Sequence, residues 1–211
     1  MNLSYKALKD GLSKSLQEKL PAHSAHQKIM KNRPAIEELG QQMLGAKQSA
    51  VLCLMYQDEG EWKIVYIKRP KYEGVHSAQI GFPGGKREDS DRDYFETALR
   101  EANEELNIQN DDVSILGKLS PLYVPPSNFL IQPIVGLQAH RPDFILEERE
   151  VSGIIEMPLT HLLSERHLKT RPVSSSLYSI KTKGFEYKNE FIWGATAMIS
   201  MEFVQLIKRI Q

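Results

Sequence analysis

The sequence predicts an α/β fold in which helices cover a mixed β-sheet. Apolar runs of strand length alternate along the chain with segments of helical periodicity, which is typical of this class. The apolar fraction of 41% over 211 residues is sufficient for one sizeable hydrophobic core. We therefore expect an N-terminal helical extension over residues 1–33 and one main domain over residues 34–211.

The N-terminal segment is predicted to be helical at both ends and irregular between them. Residues 4–19 form an amphipathic pattern, because four leucines recur with i, i+4 spacing. These leucines are Leu8, Leu12, Leu16 and Leu20. The polar segment from Pro21 to Pro34 is predicted to be a loop, and "PAIEELGQQML" after it a short helix.

A β-hairpin is predicted next. The apolar runs "SAVLCLMY" and "WKIVYIKR" flank the turn "QDEGE". The segment "AQIGFPGG" is predicted to be a strand that ends in a tight turn. Cys53 is the single cysteine, so an intrachain disulfide is excluded and a structural zinc cluster is disfavoured. We expect a buried core thiol.

The C-terminal half alternates between strands and helices. "VSILGKLSPLYV" and "FLIQPIVGLQA" are strand-like, and "VSGIIEMPLTHLL" is a strand running into a short helix. "YSIKTKGFEYKNEFIW" predicts a second hairpin, and "ATAMISMEFVQLIKRI" a closing helix with an apolar face.

A helix over residues 91–106 combines a core stripe with crowded acids. The stripe consists of Phe95, Leu99, Ala102 and Leu106. Glu101, Glu104 and Glu105 fall within about one turn, on a different and roughly opposed face. Candidate N-caps are Asp89, Ser90 and Asp91, and Asn107 is a candidate left-handed C-cap.

The crowded glutamates carry the first functional hypothesis. Like charges on neighbouring turns repel one another, and the helix dipole disfavours anions near the C-terminus. A solvated acidic face is the ordinary explanation of such a cluster. A divalent cation would relieve the repulsion, and carboxylates at this spacing are good ligands for Mg2+ or Mn2+ beside a phosphate. The preceding turn "FPGGK" would let backbone approach the ligand.

These residues resemble the signature of the Nudix hydrolases: a glycine, five residues, a glutamate, seven residues, then Arg-Glu-aliphatic-x-Glu-Glu-x-Gly-aliphatic. Gly85 opens the match, Arg100-Glu101-Ala102 and Glu104-Glu105 form its centre, and Ile108 closes it. Three positions depart from the pattern. They are the acid Asp91 in place of glutamate, the spacer 92–99 that is one residue longer, and Asn107 in place of glycine.

The long spacer and an upstream motif are similar to the branch of this family that cleaves coenzyme A. That motif runs roughly "R…H-x-G-Q-I-x-F-P-G-G-K". The matching residues here are Arg69, His76, Gln79, Ile80, Phe82, Pro83, Gly84, Gly85 and Lys86. Gly74 replaces a usual basic residue, and Ala78 replaces a usual glycine. Segments between residues 121 and 199 also resemble this branch.

The resemblance implies an α/β/α sandwich around a mixed sheet, with the N-terminal helix as an addition. It implies metal-dependent attack of water on one phosphorus of a diphosphate. For coenzyme A the products would be 4'-phosphopantetheine and adenosine 3',5'-bisphosphate. ADP-ribose, a nucleotide sugar or a dinucleotide are alternative substrates, and a catalytically idle ligand-binding module is an alternative from another class.

The acidic residues receive roles on this basis. Glu101 and Glu105 are expected to be the principal metal ligands, next to the backbone of Gly85. Glu104 either completes the metal shell or accepts the proton of the attacking water. Glu150, in "EREV", occupies a position where many relatives carry another acid near the metals, and a plain surface charge is the alternative.

Basic and polar residues are expected to handle the substrate. Arg100 is expected to orient a glutamate through a charge-assisted hydrogen bond. Arg69, Lys68 and Lys86 are candidates to screen substrate phosphates, and a solvated surface cation is the alternative for each. The motif residues His76 and Gln79 are assigned to substrate binding without a defined duty.

The overall charge limits the partners. Lys plus Arg and Asp plus Glu number 27 each, so no net field attracts a nucleic-acid backbone or an anionic membrane. The first twenty residues lack the apolar core of a signal peptide. We expect a cytoplasmic enzyme whose partner is a small coenzyme A-like nucleotide, with no nucleic-acid or membrane partner, and a homodimer stays open.

Overall fold

The computed structural model describes residues 3–70, 79–174 and 179–210. The helices are α1 Tyr5–Gln17, α2 Ala22–Ile29, α3 Tyr94–Leu106, α4 Leu159–Leu163 and α5 Gly194–Lys208. The strands are β1 Lys47–Asp58, β2 Glu61–Lys68, β3 Ile80–Gly81, β4 Gly84–Lys86, β5 Ser114–Lys118, β6 Leu122–Val124, β7 Phe129–Gln138, β8 Gly153–Pro158, β9 Leu168–Ser174, β10 Ser179–Tyr187 and β11 Glu190–Ile192. Short 3-10 helices span Ile36–Met43, Asn110–Asp112, Pro125–Ser127 and Glu165–His167.

The central sheet is mixed, as predicted. β1 pairs in parallel with β7 and antiparallel with β2 and β4. The main path of strands runs β3-β2-β1-β7-β5, with β8 paired to β2 and β6 paired to β7. The predicted hairpin of β1 and β2 is confirmed, and Glu59 and Gly60 form its turn with positive φ angles of 49° and 79°.

Helices cover both faces of this sheet. Along β1, successive side chains point to opposite faces. Leu52 and Leu54 belong to the apolar cluster that contains α3 residues. Cys53 and Met55 belong to the cluster that contains residues of α1, α2 and α5. The α/β/α sandwich is therefore confirmed, and Cys53 is a fully buried thiol whose pKa burial raises.

The segment from Pro21 to Pro34 is not the predicted loop, because it contains α2. Ala25 and Ile29 are buried in the same core as α5. The backbone N–H of Ala22 donates to a carboxylate oxygen of Glu202 in α5. Long-range packing thus stabilises a short helix whose polar sequence does not predict one. The division of the chain at residue 33 stays a prediction.

Helix α3 begins later than predicted. Asp93 is the N-cap, and its side chain accepts hydrogen bonds from the backbone N–H groups of Phe95 and Glu96. The predicted caps Asp89, Ser90 and Asp91 are therefore wrong. Asn107 adopts the predicted left-handed conformation, with φ 59° and ψ 29°. The predicted hairpin near the C-terminus is also confirmed as β10 and β11, to which β9 adds a third strand.

Across the helices within residues 3–70, 79–174 and 179–210, none combines the length and the apolar character needed to cross a bilayer.

Candidate active site

The centre of the site is a buried carboxylate on α3. Glu105 is only 1% exposed, so the ordinary explanation of the cluster as a solvated acidic face does not hold for this residue. Its Oε2 accepts a hydrogen bond of 2.8 Å from the backbone N–H of Gly84. Its Oε1 lies 3.7 Å from Nη2 of Arg69 and has no hydrogen-bond partner among the described residues. This oxygen is available to a ligand.

Burial controls the electrostatics of both candidate metal ligands. Loss of solvation raises the pKa of Glu105 to about 8, although Arg69 opposes the shift. Burial also raises the pKa of Glu101. The negative charge of Glu150 raises both values further, which places Glu150 within electrostatic reach of the pair. A positive ion at this point would favour the ionised form of both carboxyls.

The two glycines before α3 allow the loop to approach these carboxylates. Gly84 has φ 148°, and a Cβ there would lie 2.3 Å from the backbone oxygen of Ala50. A Cβ on Gly85 would lie 2.3 Å from Oε2 of Glu101. Only glycine therefore fits at position 84, where the contacts are with backbone. At position 85 a larger residue would displace the carboxylate of Glu101, which packs directly on the backbone of Gly85.

Arg100 connects the acids of the motif. Its Nε and Nη2 donate to the two oxygens of Asp91 at 2.9 and 3.1 Å. Its Nη1 donates at 3.0 Å to Glu101 and at 3.0 Å to Glu104. The predicted charge-assisted bond from Arg100 to a glutamate is thus present, and Glu104 remains the most exposed of the three glutamates.

Asp91, proposed from the sequence only as a helix cap and as a departure from the motif, has a place in the site. It is 4% exposed, and it also accepts hydrogen bonds from the backbone N–H of Glu88 and from Oγ1 of Thr97. The hydrogen bonds from Arg100 hold its pKa well below the usual range. Although Asp91 is shorter than glutamate and the spacer after it is one residue longer, its carboxylate still reaches Arg100. The sequence feature that could have indicated this contact is the acid six residues after Gly85.

The donors present fit a divalent cation. Glu101 and Glu105 are one helical turn apart, Glu105 has an unpaired oxygen, and Gly85 leaves room at Glu101. Carboxylate oxygens are the ligands that Mg2+ and Mn2+ prefer. In the described part of the chain, no three His, Cys, Asp or Glu side chains are arranged as a complete metal site.

A cavity of about 370 Å3 opens beside this centre, between the sheet, the turn Pro125–Ser127 and the first turn of α5. Arg69, Lys86 and Gln79, which were assigned to substrate binding, line it. Nη2 of Arg69 also donates to the backbone oxygen of Gly84 at 3.1 Å. The sequence analysis assigned no ligand contact to the walls formed by the turn Pro125–Ser127 and by α5, whose residues are distant in sequence from the glycine loop.

The remaining predicted residues lie elsewhere. Lys68 forms an ion pair with Glu190 and is not among the residues that line the cavity. Glu150 is exposed in a turn closed by a hydrogen bond from its N–H to the oxygen of Glu147. The backbone N–H of Glu147 donates to the oxygen of Glu105, so this turn runs along the end of α3. His76, Gly74 and Ala78 lie outside the described residues.

Comparison with known proteins agrees with this geometry. The NUDIX domain model matches residues 46–174. An uncharacterized Nudix hydrolase NudL of Yersinia pestis (strain Pestoides F) is 35% identical over 144 residues, which are 68% of this chain and 72% of the relative. The NudL of Yersinia pseudotuberculosis serotype O:1b (strain IP 31758) matches with the same values.

A solved structure supports the fold. The MutT/nudix family protein from Enterococcus faecalis aligns with 91% of this chain and 76% of its own, at 14% identity and a TM-score of 0.51. The NUDIX domain match and the 35% identical relatives show that the chain belongs to the Nudix family, whose members hydrolyse diphosphate bonds and generally need divalent metal ions.

Proposed function

We propose that this protein hydrolyses the diphosphate of coenzyme A or its derivatives, releasing 4'-phosphopantetheine and adenosine 3',5'-bisphosphate. The observation that carries the proposal is the position of Glu105. Its unpaired oxygen lies beside the Gly84–Gly85 loop, where Arg69 and Lys86 border a cavity. A cation at Glu105, a diphosphate at the basic residues and an organic group in the cavity would thus bind next to one another.

The coenzyme A assignment rests on the sequence around this loop. Arg69, Gln79 and the run from Phe82 to Lys86 match the motif of the coenzyme A branch. Of these residues, all but Pro83 line the cavity. The motif residues are therefore close to where the group attached to the diphosphate would bind.

Glu101, Glu105 and the backbone of Gly85 are the proposed holders of Mg2+ or Mn2+. When bound, such an ion neutralises phosphate charge and lowers the pKa of a bound water. Glu104 is the proposed acceptor of a proton from the attacking water, since it is more exposed than Glu105. Glu150 is proposed to add a further negative charge near the metal, since its charge acts on Glu105.

Arg100 is proposed to position Glu101 and Glu104 through its two hydrogen bonds to them. Arg69 and Lys86 are proposed to bind the substrate phosphates, since both line the cavity beside the glycine loop. Of the predicted phosphate-binding cations, Lys68 has the weaker case, because Glu190 already neutralises it.

The test is a substrate panel with identification of products by mass spectrometry. Coenzyme A, dephospho-coenzyme A, ADP-ribose and a nucleotide sugar are each incubated with Mg2+ or Mn2+ in 18O-labelled water. We expect coenzyme A to give the two named products, one of them carrying 18O. Preferential hydrolysis of ADP-ribose or a nucleotide sugar would replace the proposed substrate. Absence of turnover on the whole panel would favour a binding module.

A further inference from the structure

We propose that the cavity beside the Gly84–Gly85 loop binds the uncharged pantetheine arm of the substrate, and that the first turn of α5 and the turn Pro125–Ser127 form its selective walls. This assignment rests on the proposed function and adds to it. It states which half of the substrate enters the cavity and which residues select that half.

The distribution of charge across the cavity is the first argument. Its charged lining residues, Arg69 and Lys86, both lie at the glycine loop, and none of the described lining residues is acidic. A diphosphate therefore fits at that end. The adenosine half of coenzyme A carries a further phosphate dianion, which would need a second group of cations, and the described lining residues supply none beyond Arg69 and Lys86. An uncharged arm needs none.

Most of the remaining lining is apolar and aromatic. Phe82 and Ile199 are buried, and Phe129 and Trp193 border the space. Burying methylene and methyl groups against such side chains is favourable because it removes apolar surface from water. The gem-dimethyl and methylene groups of a pantetheine arm supply that surface, whereas a ribose hydroxyl buried there would need a partner.

The polar groups of the cavity are few and partly engaged. Oγ of Ser49 donates to the oxygen of Leu130, and Oγ1 of Thr196 donates to the oxygen of Ile80. The N-terminus of α5 carries no side-chain cap. The first N–H groups of a helix have no intrahelical partner, so they are available to the amide carbonyls of the arm.

Two substitutions in different parts of the lining test the assignment. Ala195→Leu introduces a larger side chain in the first turn of α5, and Ser127→Phe introduces one in the turn Pro125–Ser127. Each is assayed on coenzyme A and on the methyl ester of 3'-phosphoadenosine 5'-diphosphate, which keeps the adenosine half and lacks the arm. We expect kcat/KM for coenzyme A to fall about tenfold or more, and that for the methyl ester to change less than about twofold.

Binding of the two products gives a readout that is independent of turnover. We expect 4'-phosphopantetheine to raise the melting temperature of the wild type and to lose this effect in both variants. The shift caused by adenosine 3',5'-bisphosphate should be retained. Ala7→Leu, an alanine on the exposed face of α1, is the matched control and should behave as the wild type in every assay. Ala195→Val provides a smaller step if Ala195→Leu fails to fold.

The outcomes separate the two proposals. If the wild type does not hydrolyse coenzyme A, the proposed function fails and this assignment fails with it. If the wild type does so but both variants lose coenzyme A and methyl ester turnover equally, the adenosine half occupies the cavity and this assignment alone is overturned. Unchanged kinetics in both variants would overturn it as well.

Discussion

Two buried glutamates in this molecule differ in how completely their carboxylates are hydrogen-bonded. Glu202 in α5 is fully buried, and its Oε1 accepts hydrogen bonds from Ala22 N, Ser120 N and Ser120 Oγ. Its Oε2 lies 3.2 Å from Nε2 of His26. Glu105 in α3 is equally buried, yet it accepts a single backbone hydrogen bond, from Gly84.

The difference separates a structural carboxylate from a functional one. Buried polar groups in proteins are normally paired, because an unpaired one loses its hydration without compensation. Glu202 follows this rule and joins α2, α5 and the segment before β6. Glu105 breaks it with Oε1, which has no hydrogen-bond partner among the described residues and lies 3.7 Å from Nη2 of Arg69, a residue that lines the cavity. Local violations of this kind concentrate at functional sites. The degree of pairing, rather than burial or charge, distinguishes the two residues.

The strongest test of this comparison is Glu105→Gln. The amide keeps the shape and can still accept from Gly84, but it is a poor ligand for a divalent cation. We expect kcat/KM with Mg2+ to fall by more than about a hundredfold. Without metal at neutral pH, the free energy of unfolding should be unchanged or higher, because burial raises the pKa of Glu105 and that cost is absent for an amide. Steady-state kinetics and urea unfolding measure the two effects.

Near wild-type turnover in Glu105→Gln would remove the residue from the metal site. A clear loss of stability in the metal-free variant would contradict the view that Glu105 is incompletely paired.

The same substitution at Glu202 should lower stability and leave activity nearly unchanged. Glu202→Gln weakens the charge-assisted hydrogen bonds that converge on this side chain. We expect the free energy of unfolding to fall by about 1–2 kcal/mol, and kcat per folded molecule to stay within about twofold of wild type. Thermal and urea unfolding measure the first quantity, and kinetics normalised to folded protein the second. An activity loss without a stability loss would reverse the assignment of the two glutamates.

Asp91→Asn tests a third buried carboxylate, which is fully paired but adjoins the site. Removing its charge should loosen Arg100, and through it Glu101 and Glu104, and lower kcat by about tenfold. Arg100 depresses the folded-state pKa of Asp91 below its unfolded value of about 3.9. The stability supplied by ionised Asp91 is therefore present above about pH 4 and is lost as the pH falls below it.

Urea unfolding at a series of pH values checks this sign. The stability gap between wild type and Asp91→Asn should be constant near neutral pH and should narrow below about pH 4. A gap that widens on acidification would contradict the ion pair with Arg100.

Much of the fold was predictable because its signals are local. The hairpin of β1 and β2, the extent of α5 and the left-handed Asn107 follow from periodicity and turn chemistry. α2 was missed because its helix depends on Glu202 and on burial against α5, both distant in sequence. The Asp93 cap was missed since several acids in the same stretch could cap, and only the three-dimensional path of the chain selects one.

The sequence predicted which residues form the candidate site, but not which of them are buried. Helical spacing placed Glu101, Glu104 and Glu105 on neighbouring turns, and the glycine pair indicated a close approach of backbone. Spacing alone could not show that Glu105 is buried and Glu104 exposed, because that depends on where the loop at Gly84 packs. The cavity walls at Ser127 and Ala195 come from residues far apart in sequence, which no local pattern brings together.

The smallest expected effect concerns the two lysines predicted to bind phosphate. They allow the same comparison, between a paired and a less paired charge, to be made for cations. Lys68 is paired with Glu190, whereas Lys86 borders the cavity and is exposed. We expect Lys86→Met to raise KM for coenzyme A by about three- to tenfold, and Lys68→Met to change it by less than about twofold, since the Lys68 charge is already neutralised. Raising the ionic strength should weaken wild-type binding more than binding to Lys86→Met. Equal effects of the two substitutions would show that pairing does not decide which lysine binds the phosphates, and a larger effect at Lys68 would require its ion pair with Glu190 to open when substrate binds.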